Sequence, residues 1–447
     1  MPLAEFPIDK RSALLLDKEN MTKYSISPMS SLYELYLRHP RISTDSRRIE
    51  PDSVFFALRG ASFDGNRFAA DALEKGAAYA VVDDPSLPNT RPDKADRLIV
   101  VDDALQTLQA LAREHRRELG LPILAITGSN GKTTTKELVS RVLSEKYEVY
   151  ATRGNLNNHI GVPLTLLAMT RDVEFGIVEM GASACGEIAL LCSIAEPNYG
   201  IVTNIGRAHL EGFGGPEGVR RGKGELYDWL ARAGGRVFVP ANDPVLMSMA
   251  AERETLAAEC YPTTLADGVE HHLEGDYNRF NVAAAVAVGR YFGVDDERIR
   301  YAVGSYRPDN HRSQKIRTGQ NTLILDCYNA NPSSMQASLV NFRQEPLEGC
   351  TQKILILGDM LELGDWSDAE HRHIISLAAE IPDARILLIG PHFAKAYRSL
   401  ESRPADTTLY PSQEALAAEL RKHPVSQALI LVKGSHSIGL ERLAHLL

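Results

Sequence analysis

The sequence is poor in the features that mark several classes of protein. It has only five cysteines in 447 residues, and no two of them are in C-x-x-C spacing. A disulfide framework or a zinc site is therefore disfavoured, and we expect a reduced, cytoplasmic setting. No apolar run approaches the roughly 18 residues of a membrane span, and the N-terminus lacks the apolar core of a signal peptide. We expect no membrane insertion.

An excess of positive charge is also lacking. The formal net charge is −9, which disfavours non-specific binding to nucleic acid. Any site for an anion must therefore be built locally. With 44% hydrophobic and 24% charged residues, the composition is that of an ordinary globular protein. At a prior of about 150 residues per domain, the length predicts two or three domains.

Short strands and helices alternate in three blocks, which predicts an α/β protein of three domains. The first block, residues 21 to 118, contains strands such as "SVFFAL" and "RLIVV". The second block, residues 119 to 309, separates "FGIVEMG", "YGIVTNIG" and "GRVFVP" by helical stretches, as a parallel sheet with right-handed crossovers does. The third, residues 310 to 447, predicts a Rossmann-like open sheet with strands such as "KILILGDM" and "QALILVKGS".

Two further segments have a distinct character. Residues 1 to 20 precede a second methionine, Met21, and we expect them to form a flexible extension. The turn-rich "SYRPDNHRSQ" spans the boundary of the second and third blocks and predicts a hinge.

The clearest chemical signal is a phosphate-binding loop between a strand and a helix. Small residues there let backbone amides face an anion at the positive end of the helix, while a lysine and a hydroxyl can reach terminal phosphates and Mg²⁺. The standard G-x-x-x-x-G-K-[ST] pattern is shortened, since Ile126 occupies the first glycine position. The loop that we expect to bind nucleotide comprises Gly128, Ser129, Asn130, Gly131, Lys132, Thr133 and Thr134.

Two more polar residues follow predicted strands of the same block. Glu179 ends the strand "FGIV", and His209 follows "YGIV" in "TNIGRAHLEGFG". Because ligands bind at the carboxyl ends of the strands in open α/β sheets, both side chains should converge with Lys132. A carboxylate and an imidazole at that edge are candidate ligands for Mg²⁺, although histidine is an unusual ligand for so hard an ion.

Ordered motifs along the chain resemble the Mur ligase family, whose members use ATP to join amino acids or peptides to a carboxylate. They include "AITGSNGKTTTKE", "GNLNNHIGVPLTLL", "KGELY", "NRFNVAAAVAVG", "LILDCYNANPSSM" and "LVKGSHSIGLE". The resemblance covers nearly the whole chain from about residue 40 onward. It implies a uridine-nucleotide domain, a central ATP-binding domain and a Rossmann-like domain, in that order.

The resemblance also implies catalytic and metal-binding roles. Lys132 would hold the β- and γ-phosphates of ATP, while Thr133 and Glu179 would bind one Mg²⁺. His209 would help to bind a second Mg²⁺ beside the carboxylate that is activated. Lys223 matches a lysine that CO₂ carbamylates in several Mur ligases, and whether it is carbamylated here is left open.

Nucleotide contacts are implied at three more positions. Asn281 matches the residue that meets the adenine, and Asp326 matches the acid that contacts the ribose. Arg312 matches an arginine that approaches the ATP phosphates from the hinge. The chain departs from its relatives at Tyr277, where they more often have histidine.

The residues expected at the other substrates are mostly polar and uncharged. Ser43, Asp45, Ser46 and Arg47 match the uridine-nucleotide site. Asn155, Asn157 and Asn158 would hold sugar and peptide groups, and Asn329 and Asn331 would receive the incoming amine.

These matches imply ligation of D-alanyl-D-alanine to UDP-N-acetylmuramoyl-tripeptide, for peptidoglycan synthesis. We expect a monomer, and the net charge predicts that it binds no nucleic acid. Two alternatives stay open. A folylpolyglutamate-like ligase would lack the uridine-nucleotide domain that "TDSRRI" and "ALRGASFDG" indicate. A P-loop NTPase without ligase activity would have aspartate, rather than Glu179, at the end of its metal-binding strand.

Overall fold

The computed structural model describes residues 28–308 and 314–447 and has three α/β domains. The predicted extension at residues 1 to 20 and the predicted phosphate contact Arg312 lie outside the described residues. Each described domain is built on its own sheet. The predicted α/β class with three sheets is confirmed, whereas the domain boundaries stay predictions.

The N-terminal domain has a four-stranded parallel sheet in the order β1-β2-β3-β4. Its strands are β1 (Arg41–Ser43), β2 (Ser53–Phe56), β3 (Tyr79–Val82) and β4 (Leu98–Val100). Its helices are α1 (Pro28–Arg38), α2 (Ala69–Glu74), α3 (Leu87–Thr90) and α4 (Ala104–Leu119).

The central domain has a six-stranded sheet in the order β10-β9-β8-β5-β7-β6, with every pair parallel. Its strands are β5 (Ile123–Thr127), β6 (Val149–Ala151), β7 (Phe175–Glu179), β8 (Tyr199–Val202), β9 (Arg236–Pro240) and β10 (Ala257–Tyr261). Its helices are α5 (Lys132–Ser144), α6 (Gly161–Leu167), α7 (Glu187–Ala195), α8 (Leu210–Phe213), α9 (Pro216–Ala233), α10 (Pro244–Ala251), α11 (Asn278–Tyr291) and α12 (Asp296–Ser305). This order brings the carboxyl ends of β5, β7 and β8 side by side.

The C-terminal domain has a mixed sheet in the order β11-β12-β16-β13-β14-β15, in which only β11 is antiparallel to its neighbour. Its strands are β11 (Gln314–Arg317), β12 (Thr322–Leu325), β13 (Gln352–Gly358), β14 (Ala384–Ile389), β15 (Thr407–Tyr410) and β16 (Ala428–Lys433). Its helices are α13 (Pro332–Gln344), α14 (Ser367–Ala379), α15 (Pro391–Arg398) and α16 (Gln413–Lys422).

The edge strands are where the structure adds most to the sequence analysis. The predicted strands of the two large sheets were apolar runs, and they lie at interior positions of the sheets. Three of their four edge strands, β6, β11 and β15, are short and mostly half-buried, and the fourth, β10, alternates half-buried with exposed residues before its last, buried residue. An edge strand pairs on one side only and can face solvent, so it needs no continuous apolar run to mark it.

One apolar core joins the N-terminal domain to the central sheet. Leu111 of α4 is fully buried in the same cluster as Val54 of β2 and Ile123 of β5. Helix α4 ends at Gly120, whose φ of 63° lets the chain turn at once into β5. The helix therefore belongs to both domains.

A second shared core lies between the central and C-terminal domains. Leu210 and Phe213 of α8 cluster with Ile324 of β12 and Leu355 of β13. Among the described residues, no helix has the length and apolarity needed to cross a bilayer.

We expect Leu111→Ala to lower the free energy of unfolding of the N-terminal and central domains together, by about 2 to 5 kcal/mol. The substitution leaves a cavity in the core that both domains share. Urea unfolding followed by the emission of Trp229, which packs against this core, measures the change in a Trp366→Phe background. Leu420→Ala in a separate core of the C-terminal domain is the control. If the Trp229 unfolding transition shifted equally in both variants, the two cores would not be separate, and the prediction would be contradicted.

Candidate active site

The predicted phosphate loop has a backbone that only glycine fits at two positions. Gly128 has φ of 139°, and a Cβ there would lie 2.0 Å from the Thr203 hydroxyl. Gly131 has φ of 80°, and a Cβ there would lie 2.7 Å from Oδ1 of Asn281. The backbone is thus packed against its neighbours at both glycines, and the amides of the first turn of α5, which follows directly, are left for an anion.

Residues after β8 hold this loop in place. The Thr203 hydroxyl donates to the Asn130 carbonyl at 2.5 Å, and Nδ2 of Asn204 donates to the same oxygen at 3.0 Å. The Asn130 amide donates back to Oδ1 of Asn204 at 3.1 Å. The sequence analysis missed Thr203 and Asn204, although their position directly after a predicted strand was a usable signal.

Lys132 begins helix α5 with its ammonium folded over the loop. Its Nζ donates to the Gly128 carbonyl at 2.7 Å and to the Ser129 carbonyl at 3.3 Å. The positive charge therefore lies where the loop amides and the helix N-terminus also favour an anion. The role of Lys132 in binding terminal phosphates stays a prediction.

Glu179 is a buried carboxylate, 1% exposed, with one incompletely satisfied oxygen. Its Oε1 accepts hydrogen bonds from the Thr133 hydroxyl at 3.2 Å and from Nδ2 of Asn157 at 2.8 Å. Its Oε2 has no hydrogen-bond partner. A buried oxygen of this kind beside the hydroxyl of a phosphate loop fits a ligand of Mg²⁺.

The small number of metal-ligating side chains near Glu179 also suits Mg²⁺. Within residues 28–308 and 314–447, no group of three or more histidine, cysteine, aspartate or glutamate side chains could hold a metal. Mg²⁺ commonly takes one or two carboxylates and completes its shell with phosphates and water. Glu179 and Thr133 therefore suit a metal that enters with a nucleotide.

Lys136 is a buried cation of the site that the sequence analysis missed. It is 4% exposed, its Nζ donates to the Thr152 carbonyl at 2.8 Å, and it lies 3.7 Å from Oε2 of Glu179. It stands one helical turn after Lys132, so both lysines lie near one face of α5. The ammonium offsets the charge of the buried Glu179 carboxylate.

His209 meets the C-terminal domain at the rim of the cavity. Its Nδ1 forms a short hydrogen bond with the carboxylate of Glu362. This hydrogen bond is the main cause that lowers the pKa of Glu362. The sequence analysis did not mark Glu362, which lies in the motif "LGDMLELG".

Lys223 lies behind the cavity wall rather than on its surface. It is 1% exposed, its Nζ donates to the Ala182 carbonyl at 3.1 Å, and it lies 5.0 Å from the ring centroid of Phe213. Burial, and then the nearby charge of Lys132, lower the pKa of Lys223 well below its usual value. A neutral amine is the form that reacts with CO₂, so this environment is compatible with carbamylation.

The expected adenosine contacts lie on two domains. Asn281 is buried in α11, where its Oδ1 accepts from the Thr135 hydroxyl at 3.0 Å. Asp326 follows β12, and its Oδ2 accepts from the Ser338 hydroxyl at 2.6 Å and from the ammonium of Lys433. Lys433, at 1% exposure, is a further buried cation that the sequence analysis missed.

Four of the predicted substrate asparagines have side-chain hydrogen bonds within the protein, three of them to backbone amides. Oδ1 of Asn158 accepts from the Gly161 amide at 2.9 Å, at the start of α6, while Nδ2 of Asn157 donates to the Glu179 carboxylate. Oδ1 of Asn331 caps α13, and its Nδ2 donates to Oδ1 of Asn130 at 2.8 Å across the domain boundary. Oδ1 of Asn329 accepts from the amide of the next residue.

A single cavity of about 910 Å³ joins most of the predicted residues of the central and C-terminal domains. Gly128 and Lys223 do not line it, and Arg312 lies outside the described residues. The predicted residues that line it are Ser129, Asn130, Gly131, Lys132, Thr133, Thr134, Asn155, Asn157, Asn158, Glu179, His209, Asn281, Asp326, Asn329 and Asn331.

The predicted uridine-nucleotide residues do not line this cavity. Arg47 donates two hydrogen bonds to the Asp45 carboxylate, at 2.9 and 2.8 Å, and holds its pKa well below the usual range. The Ser46 carbonyl accepts from Lys75 at 2.8 Å, and the hydroxyl of the buried Ser43 donates to carbonyls of the same turn. Their role in binding uridine nucleotide stays a prediction.

Sequence models of three domains match the chain in order. The Mur ligase family catalytic domain matches residues 40–116, the Mur ligase middle domain matches residues 126–264, and the Mur ligase glutamate ligase domain matches residues 311–436. A curated relative from Bacillus subtilis, named UDP-N-acetylmuramoyl-tripeptide–D-alanyl-D-alanine ligase, is 34% identical over 90% of this chain and 92% of its own length. The chain belongs to the Mur ligase family. It is therefore an ATP-dependent enzyme that forms amide bonds.

Other Mur ligases extend the similarity. The Escherichia coli relative of the same name is 30% identical over 91% of this chain and 93% of its own length. The crystal structure of MurF from Acinetobacter baumannii has a TM-score of 0.79 at 30% identity, covering 91% of this chain and 92% of that one. The MurF ligase from Thermotoga maritima in complex with ADP has a TM-score of 0.78 at 25% identity, covering 92% and 97%.

We expect Lys223→Met to raise the free energy of unfolding at pH 7.5 by about 1 kcal/mol or more, since an apolar side chain replaces a buried amine. The folded-state pKa of Lys223 is lowered, so the unfolded chain binds a proton more readily, and the wild type loses stability as pH falls from about 10. The advantage of the variant should therefore shrink between pH 7.5 and pH 10.

Chemical unfolding of both proteins in CO₂-free buffer at the two pH values measures this difference. Lys422→Met, at an exposed lysine of α16, is the matched control and should leave stability nearly unchanged at both. A Lys223→Met protein that is less stable than the wild type at pH 7.5 would contradict the assigned environment.

Proposed function

We propose that this Mur ligase joins D-alanyl-D-alanine to the tripeptide carboxylate of UDP-N-acetylmuramoyl-tripeptide, with conversion of ATP to ADP and phosphate. One observation carries the proposal. The phosphate loop, the asparagine loop at Asn155 to Asn158 and the edge at Asn329 and Asn331 line one cavity. ATP, the carboxylate and the amine can therefore meet in one space. The names of the relatives support the same reaction.

The chemical problem is that a carboxylate is a poor electrophile. Transfer of the γ-phosphate to the carboxylate oxygen gives an acyl phosphate and releases ADP. The amine of the dipeptide then attacks the carbonyl carbon, the carbon–oxygen bond to phosphate breaks, and a proton leaves the nitrogen. Phosphoryl transfer of this kind needs mainly positioning and charge stabilisation.

The chain supplies positive charge where two anions must meet. Lys132 and the N-terminus of α5 face the phosphates, while Lys136 offsets the buried Glu179. Asn281 and Asp326 hold the nucleoside in this proposal. Arg312 stays a predicted contact to the phosphates. Coverage of the acyl phosphate by the C-terminal domain would keep water away.

Mg²⁺ fits two positions in the proposal. Thr133 and Glu179 would hold one ion beside the phosphates, and His209 with Lys223 would support a second beside the carboxylate. Bound there, the ions would neutralise charge on the phosphate and carboxylate oxygens. The carboxyl group that a carbamylated Lys223 would carry suits that second role.

The remaining parts of the proposal concern substrate binding and location. Ser43, Asp45, Ser46 and Arg47 would bind the uridine nucleotide. A monomeric enzyme in the cytoplasm is part of the proposal, and the cytoplasmic location is supported by five cysteines that are all free in the structure.

Two alternatives are less well supported. Folylpolyglutamate synthase from Mycobacterium tuberculosis shares the fold, with a TM-score of 0.57 at 12% identity. The match of residues 40–116 to the Mur ligase family catalytic domain favours a Mur-type reaction. An NTPase without an acceptor would leave the asparagine-rich side of the cavity without a role.

We expect phosphate release from ATP and Mg²⁺ to require both UDP-N-acetylmuramoyl-tripeptide and D-alanyl-D-alanine. The dipeptide supplies the amine that turns the acyl phosphate over, so D-alanine or L-glutamate in its place should give little release. Tripeptides with diaminopimelate or lysine at position three are compared in the same assay. Release that is indifferent to the amine would overturn the ligase proposal in favour of an NTPase.

We expect Lys132→Met to lower kcat by about two orders of magnitude or more, since it removes a charge that stabilises the transferring phosphoryl group. Steady-state phosphate release with all three substrates measures the loss, and circular dichroism checks the fold. Lys422→Met should keep wild-type turnover. A Lys132→Met enzyme with nearly normal kcat would exclude the assigned role.

A further inference from the structure

Two residues with unusual backbone geometry meet at the boundary between the central and C-terminal domains. His209 has φ of 53° and Glu362 has φ of 61°, which is the left-handed region that non-glycine residues seldom adopt. Their side chains are joined by the hydrogen bond from the imidazole to the carboxylate. Strained residues that persist in a fold often mark a site where geometry matters for function.

The hydrogen bond defines the tautomer of His209. An ionised carboxylate can only accept, so Nδ1 of the ring must carry the proton. In the neutral ring, Nε2 is then left with a lone pair. His209 lines the cavity that contains the phosphate loop. The contact with Glu362 thus prepares His209 to act as a ligand or an acceptor through Nε2.

Glu362 lies in a turn that is fixed by hydrogen bonds to neighbouring residues. The Met360 amide donates to Nε2 of the buried His371 at 3.1 Å, and the Leu361 amide donates to the Ser435 hydroxyl at 3.1 Å. The Glu362 carbonyl accepts from the Glu211 amide at 3.2 Å. The Glu362 backbone therefore binds Glu211, and the Glu362 side chain binds His209.

A second pair of residues holds the same two segments together. Nη2 of Arg207 forms an ion pair with Oε1 of Glu370 at 2.7 Å, and the Arg207 amide donates to the Ser333 hydroxyl at 2.7 Å. The Glu370 side chain is only 3% exposed, so its charge depends on this partner from the other domain. Loss of Arg207 from this position would leave a buried carboxylate poorly compensated.

We propose that Glu362 is a positioning residue that sets the Nδ1–H tautomer of His209. The tautomer then depends on docking of the C-terminal domain, which the Arg207–Glu370 ion pair stabilises. The role of His209 at a metal rests on the proposed function, whereas its tautomer does not. In metal sites, a carboxylate on the second ring nitrogen of histidine fixes the ring in this way. Domain docking and preparation of the site are thus one event.

The test uses the full chain, labelled with ¹⁵N in histidine, at pH 8 without nucleotide or metal. Long-range proton–nitrogen spectra report the tautomer of each ring, and His209→Asn identifies the signal among thirteen histidines. We expect the Nδ1–H form in the wild type and a shift towards Nε2–H in Glu362→Ala. Asp365→Ala, at an exposed carboxylate on the same turn, is the matched control and should change nothing.

Docking is followed separately by the emission of Trp366 in a Trp229→Phe background. The Trp366 ring packs against Gly215 of the central domain, where a Cβ would lie 3.3 Å from the ring. We expect Glu370→Gln to change both the Trp366 emission and the His209 tautomer, and Glu362→Ala to change the tautomer alone. Asp296→Asn, which breaks an ion pair inside the central domain, should change neither.

A wild-type ring in the Nε2–H form, or an unchanged tautomer in Glu362→Ala, would overturn the proposal. If Glu362→Ala also changes the Trp366 emission, the Glu362→Gln variant distinguishes positioning from docking, because glutamine keeps an acceptor oxygen. Retention of Nδ1–H in that variant supports positioning, and loss of it counts against positioning.

A last measurement links the tautomer to the reaction. Glu362→Ala should raise the Mg²⁺ concentration for half-maximal phosphate release about tenfold or more. An enzyme without dipeptide-dependent release but with the expected spectra would refute the proposed function and leave the positioning role intact.

Discussion

The structure depends on the parallel order of β5, β7 and β8, because their carboxyl ends must lie side by side. Thr203 after β8 can then pack against Gly128 after β5, and Glu179 at the end of β7 can reach the hydroxyl of Thr133. A different strand order would separate these residues by several strand spacings of about 4.8 Å each. The phosphate loop, the proposed metal position and the loop that contains His209 all follow from this arrangement.

Buried lysines are the second organising feature, in a chain whose net charge is negative. Lys136, Lys223 and Lys433 are each exposed by 4% or less, and each donates to a carbonyl or a carboxylate. Burial of an ammonium is costly unless it is hydrogen-bonded or loses its proton. The fold places these lysines around one cavity where, in the proposed reaction, carboxylate and triphosphate would otherwise repel each other.

The C-terminal domain lines part of the cavity and also contacts the central domain directly. Leu210 and Phe213 of the central domain lie in a C-terminal core, and the hydrogen bonds of Asn331, Arg207 and His209 cross the same boundary. Apolar packing supplies affinity between the domains, while the polar contacts set their register. Docking of the domain and the geometry of the cavity are therefore inseparable.

The sequence by itself determined the α/β class, the phosphate loop and the residues at the ends of the apolar strands. These features are local, because a glycine pattern or a buried strand is legible within about ten residues. Only the tertiary structure decided that Lys136 pairs with Glu179, that Lys433 meets Asp326 and that Glu362 orients His209. Those partners are up to 153 residues apart in the chain, and no local pattern records which distant side chain a folded sheet brings into contact.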